Sequence, residues 1–390
     1  MPQDKKDKNL NVPPLRFPRF TDEWKKTTLG EITTNFNLRN KEQKDYPMFS
    51  VTNNRGFIPQ SEQFEDREMK GEDIKAYKVI HHNDFAYNPA RINVGSIAKY
   101  NGDEPCMISS LYVCFRANNG IDEEWLMHLL HTPKIQYYYQ LNGEGGVRIY
   151  LFYPNFARIK TSVPTIGEQK KIAKALSLID ERIATQNKII EDLKKLKSAI
   201  IDELYSNVKG NSCNYSNLFT VVSERNSKRL YKKVIAASQE YGMVERDSLN
   251  LKIQFDEESI NTYKIIDSGD YVIHLRSFQG GFAFSRLHGI CSPAYIILRP
   301  NERVEFSYFE NYFTSTKFIN SLRLVTYGIR DGRSINVEEW LSMKVVLPSK
   351  EEQRRIIQTI KSIQNKLFNE NYILSGLESQ RKFCLQNMFK

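Results

Sequence analysis

The sequence of 390 residues contains no apolar run approaching the roughly 20 residues that a membrane-spanning helix requires. Its first 20 residues are basic and proline-rich, and they lack the apolar segment of a secretory signal. The five cysteines are scattered without a CxxC pair, so neither a disulfide framework nor a zinc site is indicated. These absences predict a reduced, cytoplasmic protein that does not contact a membrane.

The chain also lacks the motifs of a nucleotide-using or DNA-modifying enzyme. It has no GxxxxGK[ST] phosphate loop and no glycine-rich turn from strand to helix that suits a nucleotide cofactor. The nearest string to the [DNS]PP[FYW] loop of an adenine methyltransferase is Asn88-Pro89-Ala90-Arg91, which lacks the second proline and the aromatic residue. His81 and His82 have no partner at metal-ligand spacing. The sequence therefore predicts a non-catalytic chain without a metal or cofactor of its own.

Positive charge and aromatic residues are, in contrast, abundant. The formal net charge is +10, with 21 Tyr and 22 Phe. This balance favours an anionic partner, and nucleic acid is favoured over a membrane surface. A chain of this length exceeds one ordinary hydrophobic core, so two domains with linking elements are expected.

Two long helices are the strongest pattern in the sequence. In the first, apolar residues recur at alternating steps of four and three, which is the a/d seam of a coiled coil: Ile172, Leu176, Ile179, Ile183, Ile190, Leu193, Ile200 and Leu204. The pattern returns 184 positions later, where Pro348 matches Pro164, and continues through Ile356, Ile360, Ile363, Leu367, Leu374, Leu377, Cys384 and Met388. The polar breaks Gln186 and Glu370 also coincide. Two matched seams can pack against each other, although each helix could instead pack on its own domain.

The segments that precede the long helices contain short β-like runs and shorter helical stretches. The helical stretch Ile121–Leu141 should be capped by Asp122 and broken by Pro133. In the second half, Tyr263–Ile273 resembles a strand pair around a turn, and Phe306–Leu324 is helical in pattern. The expected division is an extended or flexible N-terminal arm over residues 1–20, a first domain over 21–163, a long helix over 164–208, a second domain over 209–347 and a C-terminal long helix over 348–390.

Two junctions, VPTIGEQKKI and LPSKEEQRRI, the duplicated layout and the opening PPLRFPRFTDEWKKTTLGEI resemble the specificity subunits of type I restriction-modification systems. The resemblance covers nearly the whole chain. The second half departs from it, because NYSNLFTVV around Leu218 stands where the first half has W-x-x-x-x-LG. The resemblance implies an α/β (α+β) fold with two pseudo-repeated target-recognition domains, separated by two long helices that form an antiparallel coiled coil.

The same resemblance implies that each domain reads one half of a bipartite site in double-stranded DNA. It implies two methyltransferase (modification) subunits and restriction subunits as partners. S-adenosylmethionine, ATP and Mg are then expected only in those partner subunits.

Candidate DNA-reading side chains lie in two loop regions of each half. Sequence-specific reading needs Arg, Asn, Gln or similar groups on loops that reach base edges, and glycines allow close approach to phosphates. The glycine-flanked Arg148 and Arg330 occupy equivalent positions in the two halves. Lys99 is a candidate for a sequence-neutral phosphate contact. The complete candidate set is Asn88, Arg91, Asn93, Lys99, Arg148, Tyr150, His274, Arg276, Gln279, Arg330 and Arg333.

Each of these side chains could instead belong to a solvated basic loop. At the level of the whole chain, one alternative is a stand-alone two-domain regulator or architectural protein that binds DNA without enzyme partners. Another is a methyltransferase with its own active site, which the missing catalytic loop disfavours.

Overall fold

The computed structural model of the chain describes residues 10–63, 74–145, 149–238, 241–249, 257–274, 281–327 and 334–390. It divides into two compact units. We call Met1–Asn187 with Ile373–Lys390 the front unit, and Lys188–Tyr372 the rear unit. Both divisions fall inside the long helices, so each unit combines globular elements with one stretch of each helix. The predicted domain boundaries at the helix ends remain a prediction.

Short strands and short helices build the globular part of the front unit. Its strands are β1 (Lys25–Thr28), β2 (Thr33–Phe36), β3 (Phe49–Thr52), β4 (Gly56–Pro59), β5 (Lys78–Ile80), β6 (Phe85–Tyr87), β7 (Ile97–Lys99), β8 (Cys106–Ile108), β9 (Val113–Ala117) and β10 (Lys160–Val163). Its helices are α1 (Leu29–Ile32), α2 (Gln60–Gln63), α3 (Glu123–Leu130), α4 (Pro133–Asn142) and α5 (Tyr153–Ala157). The strands form an antiparallel sheet in the order β2-β9-β6-β7 and three antiparallel pairs, β1–β10, β3–β4 and β5–β8.

The rear unit repeats this topology. Its strands are β11 (Asn211–Asn214), β12 (Phe219–Val222), β13 (Ile235–Ser238), β14 (Gly242–Glu245), β15 (Lys264–Ile266), β16 (Tyr271–Ile273), β17 (Phe282–Phe284), β18 (Gly289–Cys291), β19 (Ile296–Pro300), β20 (Thr326–Tyr327), β21 (Ser334–Ile335) and β22 (Lys344–Leu347). Its short helices are α7 (Tyr308–Tyr312), α8 (Thr316–Ser321) and α9 (Val337–Ser342). The sheet order is β12-β19-β16-β17, and β11–β22, β13–β14 and β15–β18 reproduce the three pairs. The duplication inferred from the sequence therefore extends to the strand pairing.

The two long helices are α6 (Ile166–Ser206) and α10 (Lys350–Asn387). In the front unit, Ile172 and Leu176 near the start of α6 share a buried cluster with Leu385 near the end of α10. In the rear unit, Ile201 near the end of α6 shares a buried cluster with Ile356 near the start of α10. Within each unit the helix pair is thus antiparallel, and the predicted fold class is confirmed.

At the carboxyl end of each long helix, burial extends one position beyond the predicted seam. Tyr205 is 3% exposed, whereas the seam residue Leu204 is half-buried, and Phe389, just beyond α10, is 7% exposed beside the buried seam residue Met388. Here each helix packs against the globular core, where the Tyr205 hydroxyl donates to the Tyr308 carbonyl oxygen at 2.7 Å. The heptad pattern describes the packing of one helix on another, and contact with the domain adds the neighbouring position.

The predicted cap and break of the first helical stretch are present in the structure, whereas the second helical stretch is divided. Asp122 caps α3 by accepting from the Trp125 amide at 2.9 Å, and Pro133 lies in the first turn of α4, so the predicted cap and break are both confirmed. The helical stretch Phe306–Leu324 is divided into α7, α8 and a 3₁₀ turn, because Ser315 caps a new helix by accepting from the Phe318 amide.

The predicted strand pair in Tyr263–Ile273 is wrong. Although β15 and β16 flank the predicted turn, β15 pairs with β18, and β16 pairs with β17 and β19. Gly269, with φ of +102°, turns the chain, and the buried Asp270 accepts from the Asp267 amide at 2.9 Å. This turn directs the two strands into different sheets. No helix in the described residues is long and apolar enough to cross a membrane.

Candidate nucleic-acid interface

The first candidate loop of the front unit follows strand β6 and has a fixed backbone. The Asn88 side-chain oxygen accepts from the Ala90 amide at 3.0 Å, and the Asn88 amide donates to the Ser96 carbonyl at 3.1 Å. The fully buried Ile92 anchors a 3₁₀ turn that ends at Gly95, whose φ is +95°. Arg91 is exposed at the top of this turn. The loop therefore holds a cationic side chain outward on a rigid base, as sequence reading requires.

The second candidate loop is closed by a backbone pair. Glu144 and Tyr150 exchange two amide–carbonyl hydrogen bonds of 2.8 Å each, and the Asn155 side chain donates to the Glu144 carboxylate at 2.6 Å. The rings of Tyr150 and Phe152 stack, with centroids 6.3 Å apart and 12° between planes, and both are exposed. Arg148, which lies between these two paired residues in the sequence, is outside the described residues.

One hydrogen bond joins the two front loops. The Leu151 amide donates to the Pro89 carbonyl oxygen at 3.0 Å, which sets Tyr150 beside the segment that contains Asn88 and Arg91. Asn93, in the same 3₁₀ turn, is half-buried. The two regions that the sequence selected about 60 residues apart therefore form one continuous surface.

The rear unit has loop bases at the matching positions. The backbone amide of His274, which follows β16, donates to the Gly281 carbonyl oxygen at 2.8 Å and closes one loop. The half-buried ring of His274 faces Tyr295. Tyr327 pairs with Ser334 and closes the other loop, and Ser334 lies 184 positions after Tyr150. The remaining rear candidates, Arg276, Gln279, Arg330 and Arg333, lie outside the described residues.

Lys99 is held by a structural ion pair. Its ammonium group lies 2.5 Å from the Glu124 carboxylate and 3.1 Å from the Asn83 side-chain oxygen, and the Lys99 side chain is 8% exposed. The rear unit has an ion pair at a nearby but different position, because Arg286, two residues after β17, donates to the Glu310 carboxylate on α7 at 2.6 Å. Because Glu124 and Asn83 hold the ammonium group of Lys99, this side chain is not part of the proposed interface.

A buried aspartate fixes the start of the strand that leads to each first loop. In the front unit, Asp84 accepts from the His81 amide at 2.9 Å and from the Arg116 guanidinium at 2.5 Å. This hydrogen bond to Asp84 raises the pKa of Arg116. In the rear unit, Asp270 has the same amide bond and pairs with Arg299 at 2.9 Å. Sequence reasoning missed both aspartates, although each stands directly before a matching apolar strand.

The glutamine of the first junction is a clamp between the front domain and α6. Its side-chain oxygen accepts from the Asp122 amide at 2.8 Å. Its side-chain nitrogen donates to the Gly120 carbonyl at 3.1 Å and to the Pro164 carbonyl at 3.0 Å. The residue, Gln169, is 1% exposed, so these three backbone groups depend on it rather than on water.

The glutamine of the second junction repeats the clamp in the rear unit. The oxygen of Gln353 accepts from the Glu305 amide at 2.8 Å. Its nitrogen donates to the Arg303 carbonyl at 3.1 Å and the Pro348 carbonyl at 3.0 Å, and the residue is fully buried. The Glu-Gln pair present in both junctions was the available sequence signal, but the three hydrogen bonds of each glutamine could not be predicted from it.

The front unit also has a groove of about 870 Å³ between its globular part and the long helices, lined by both apolar and charged residues. Asp180 on α6 pairs there with Arg381 on α10, and Asp180 lies 4.0 Å from the His128 ring. Burial lowers the pKa of His128 to about 4. Among the described residues, no group of three or more His, Cys, Asp or Glu could hold a metal ion.

Residues 21–195 match the family model described as Type I restriction modification DNA specificity domain. Two proteins of Methanocaldococcus jannaschii are similar to the chain. The type I restriction enzyme MjaVIII specificity subunit is 26% identical over 317 residues, covering 74% of this chain and 73% of that protein. A protein named as type I restriction enzyme MjaX specificity subunit is 23% identical over 387 residues, covering 88% and 90%.

Two solved structures have the same fold over almost the whole chain. A chain from work on complex assembly and conformational transition of the type I R-M system has a TM-score of 0.60 at 15% identity, with 95% of this chain and 98% of that chain covered. The type I restriction-modification S subunit from M. genitalium has a TM-score of 0.54 at 14% identity, with 97% and 99% covered. The resemblance predicted from the two junctions is confirmed.

Proposed function

We propose that this chain, whose residues 21–195 match a type I restriction modification DNA specificity domain, is the DNA-reading subunit of a type I restriction-modification complex. Each domain reads one half of a bipartite site in double-stranded DNA. The observation that carries the proposal is the repeated loop base, Glu144 with Tyr150 and Tyr327 with Ser334, on one repeated sheet topology. Because the two units have the same sheet topology but different loop sequences, they suit the reading of two different half-sites.

The front half-site is read by the joined loop surface. Arg91 and Arg148 supply hydrogen-bond donors for the acceptors of guanine in the major groove. Asn88 and Asn93 supply side-chain amides that suit adenine. Tyr150 contributes an exposed ring beside them. The rear half-site is read by the corresponding set His274, Arg276, Gln279, Arg330 and Arg333. The excess of Lys and Arg adds attraction to phosphates that does not depend on sequence.

The chain directs partner enzymes and is not itself catalytic. Two methyltransferase subunits dock on the long helices, and restriction subunits join the complex; S-adenosylmethionine, ATP and Mg are bound by these partners. Large apolar side chains left exposed on the long helices support docking there: Leu178, Ile189 and Leu196 on α6, and Phe368, Tyr372 and Phe383 on α10. The scattered cysteines, which are free in the structure, support a cytoplasmic location.

Co-expression with the cognate methyltransferase subunit, followed by mapping of methylated adenines, tests the proposal. We expect one bipartite motif with unread bases between its halves. Exchange of residues 144–150 for the loop of a related chain should change the front half of the motif and leave the rear half unchanged. A chain that binds a single continuous site without any partner would instead be a stand-alone regulator, and the proposal would be wrong.

A further inference from the structure

Residues 10–20, the described part of the predicted N-terminal arm, and the following segment to Trp24 are bound to the junction of the front unit; we call residues 10–24 the arm. The Leu15 amide donates to the Asn387 carbonyl oxygen at 2.9 Å, and the Trp24 amide donates to the Asn11 carbonyl at 2.9 Å. The Asn11 side chain also donates to Ser162 on β10 at 3.1 Å. The arm therefore covers the surface where β10, the start of α6 and the end of α10 meet.

An arginine anchors the arm to the junction acid. The Arg16 guanidinium makes two bonds to the Glu168 carboxylate, at 2.7 and 2.8 Å, and a third to the Asp22 carbonyl at 2.6 Å. The Glu168 side chain is 1% exposed, and its hydrogen bond raises the pKa of Arg16. Next to this pair, the Lys171 ammonium lies 5.4 Å from the centre of the Phe17 ring. Buried, bidentate pairs of this kind are strong and specific.

At the rear junction, no segment of the described part of the chain takes the place of the arm. Only the four residues 207–210 connect α6 to β11, which is too short for a second arm as long as residues 10–24. Glu352, the counterpart of Glu168, is 34% exposed in its side chain. Val346 is 39% exposed, whereas its counterpart Ser162 is 6% exposed under the arm. Within the described residues, the Glu352 carboxylate accepts from Arg355 on the same helix at 2.7 Å, and exposed pairs of this kind exchange partners at little cost.

We infer that the rear junction binds an extended, arginine-bearing segment of a methyltransferase subunit, in the place where the front junction binds its own arm. The inference rests on the proposed function and makes the two methyltransferase sites unequal, because one junction is already filled. The arm of a second copy is a poorer occupant. It would have to leave its own junction, and the buried Glu168 would lose its arginine, which is strongly unfavourable.

Native mass spectrometry of the complex on dilution tests the inference. On dilution, the complex with Glu352→Gln should lose one of its two methyltransferase subunits at a concentration at least about tenfold higher than that at which the unmodified complex loses it. The reason is that the proposed charged bond between Glu352 and the partner's arginine becomes a neutral one. Glu351→Gln is the matched control, because it removes the same charge from an exposed neighbour. Arg355→Gln removes the helical partner of Glu352 and should not weaken the complex. Equal effects of Glu352→Gln and Glu351→Gln would overturn the inference.

A peptide with the sequence of residues 10–24 provides a second measurement on the complete complex. In excess, it should displace one methyltransferase subunit, and the same peptide with Arg16→Gln should not. Displacement of neither subunit, or equal displacement by both peptides, would contradict the inference. An unmodified chain that binds no methyltransferase subunit would refute the proposed function itself. Two methyltransferase subunits bound with equal affinity in every variant would refute only the inference that the two junctions differ.

Discussion

The glutamine clamp allows a sharp prediction for the Gln353→Leu variant. Leucine fills a similar volume but leaves the Glu305 amide and the carbonyls of Arg303 and Pro348 without their partner. A buried polar group without a hydrogen bond costs about 1–3 kcal/mol, so three groups should cost about 3 kcal/mol even after partial relaxation. Because the clamp lies wholly in the rear unit, the loss should be confined to that unit.

Hydrogen exchange followed by mass spectrometry measures this loss by region. Peptides from the rear unit around residues 303–310 should exchange about 100-fold faster, which corresponds to about 3 kcal/mol, while peptides around Asp122 in the front unit keep their protection. Gln358→Leu is the matched control: this glutamine is exposed on the same helix, and its replacement should change stability by less than about 0.5 kcal/mol.

Two results would refute the reasoning. Unchanged exchange in the rear unit would mean that water or a relaxed backbone satisfies the three groups. Equal acceleration in both units would mean that the residue acts on the whole chain. In the assembled complex, the variant should also weaken methylation through the rear half-site more than through the front half-site, since the clamp positions the rear domain on its helix.

Three further predictions concern reading, pH and spacing. Arg330→Ala should lose about 1–3 kcal/mol of discrimination at the rear half-site alone in methylation mapping, and an equal loss for every sequence would identify a phosphate contact instead. Burial lowers the pKa of His128 to about 4 in the folded chain, below its unfolded value of about 6.5, so the unfolded chain binds more protons between these pH values. The free energy of unfolding of the front unit should therefore fall by up to about 3 kcal/mol as the pH falls from 6.5 to 4. Denaturant titrations of the His128→Leu variant should show a weaker dependence on pH. Insertion of four residues near both Gln186 and Glu370 lengthens each helix by about 6 Å. The spacer in the mapped motif should then be longer by about one or two base pairs, with the same half-site bases. An unchanged spacer would show that helix length does not set the spacing.

Sequence alone determined the parts of this protein that depend on neighbours along the chain. Apolar spacing predicted both long helices, because a seam of period 3.5 is a local property. The Asp122 cap and the Pro133 break follow from backbone chemistry within one turn. The repetition at 184 positions identified equivalent loops before any contact was known, and the joined front surface contains residues selected from both of its loops.

Tertiary structure decided which residues meet across long separations. The turn at Gly269 directs β15 and β16 to different partners, although the apolar pattern of the two strands also fits a hairpin. Burial extends beyond the predicted seam to Tyr205 and Phe389 because each helix end meets a domain as well as a helix. The EQ pairs are identical in sequence, yet the Glu168 side chain is 1% exposed under the arm and the Glu352 side chain is 34% exposed. Identical local sequence has different burial because burial depends on what the rest of the chain brings to the surface, and in the described residues the arm covers only the front junction.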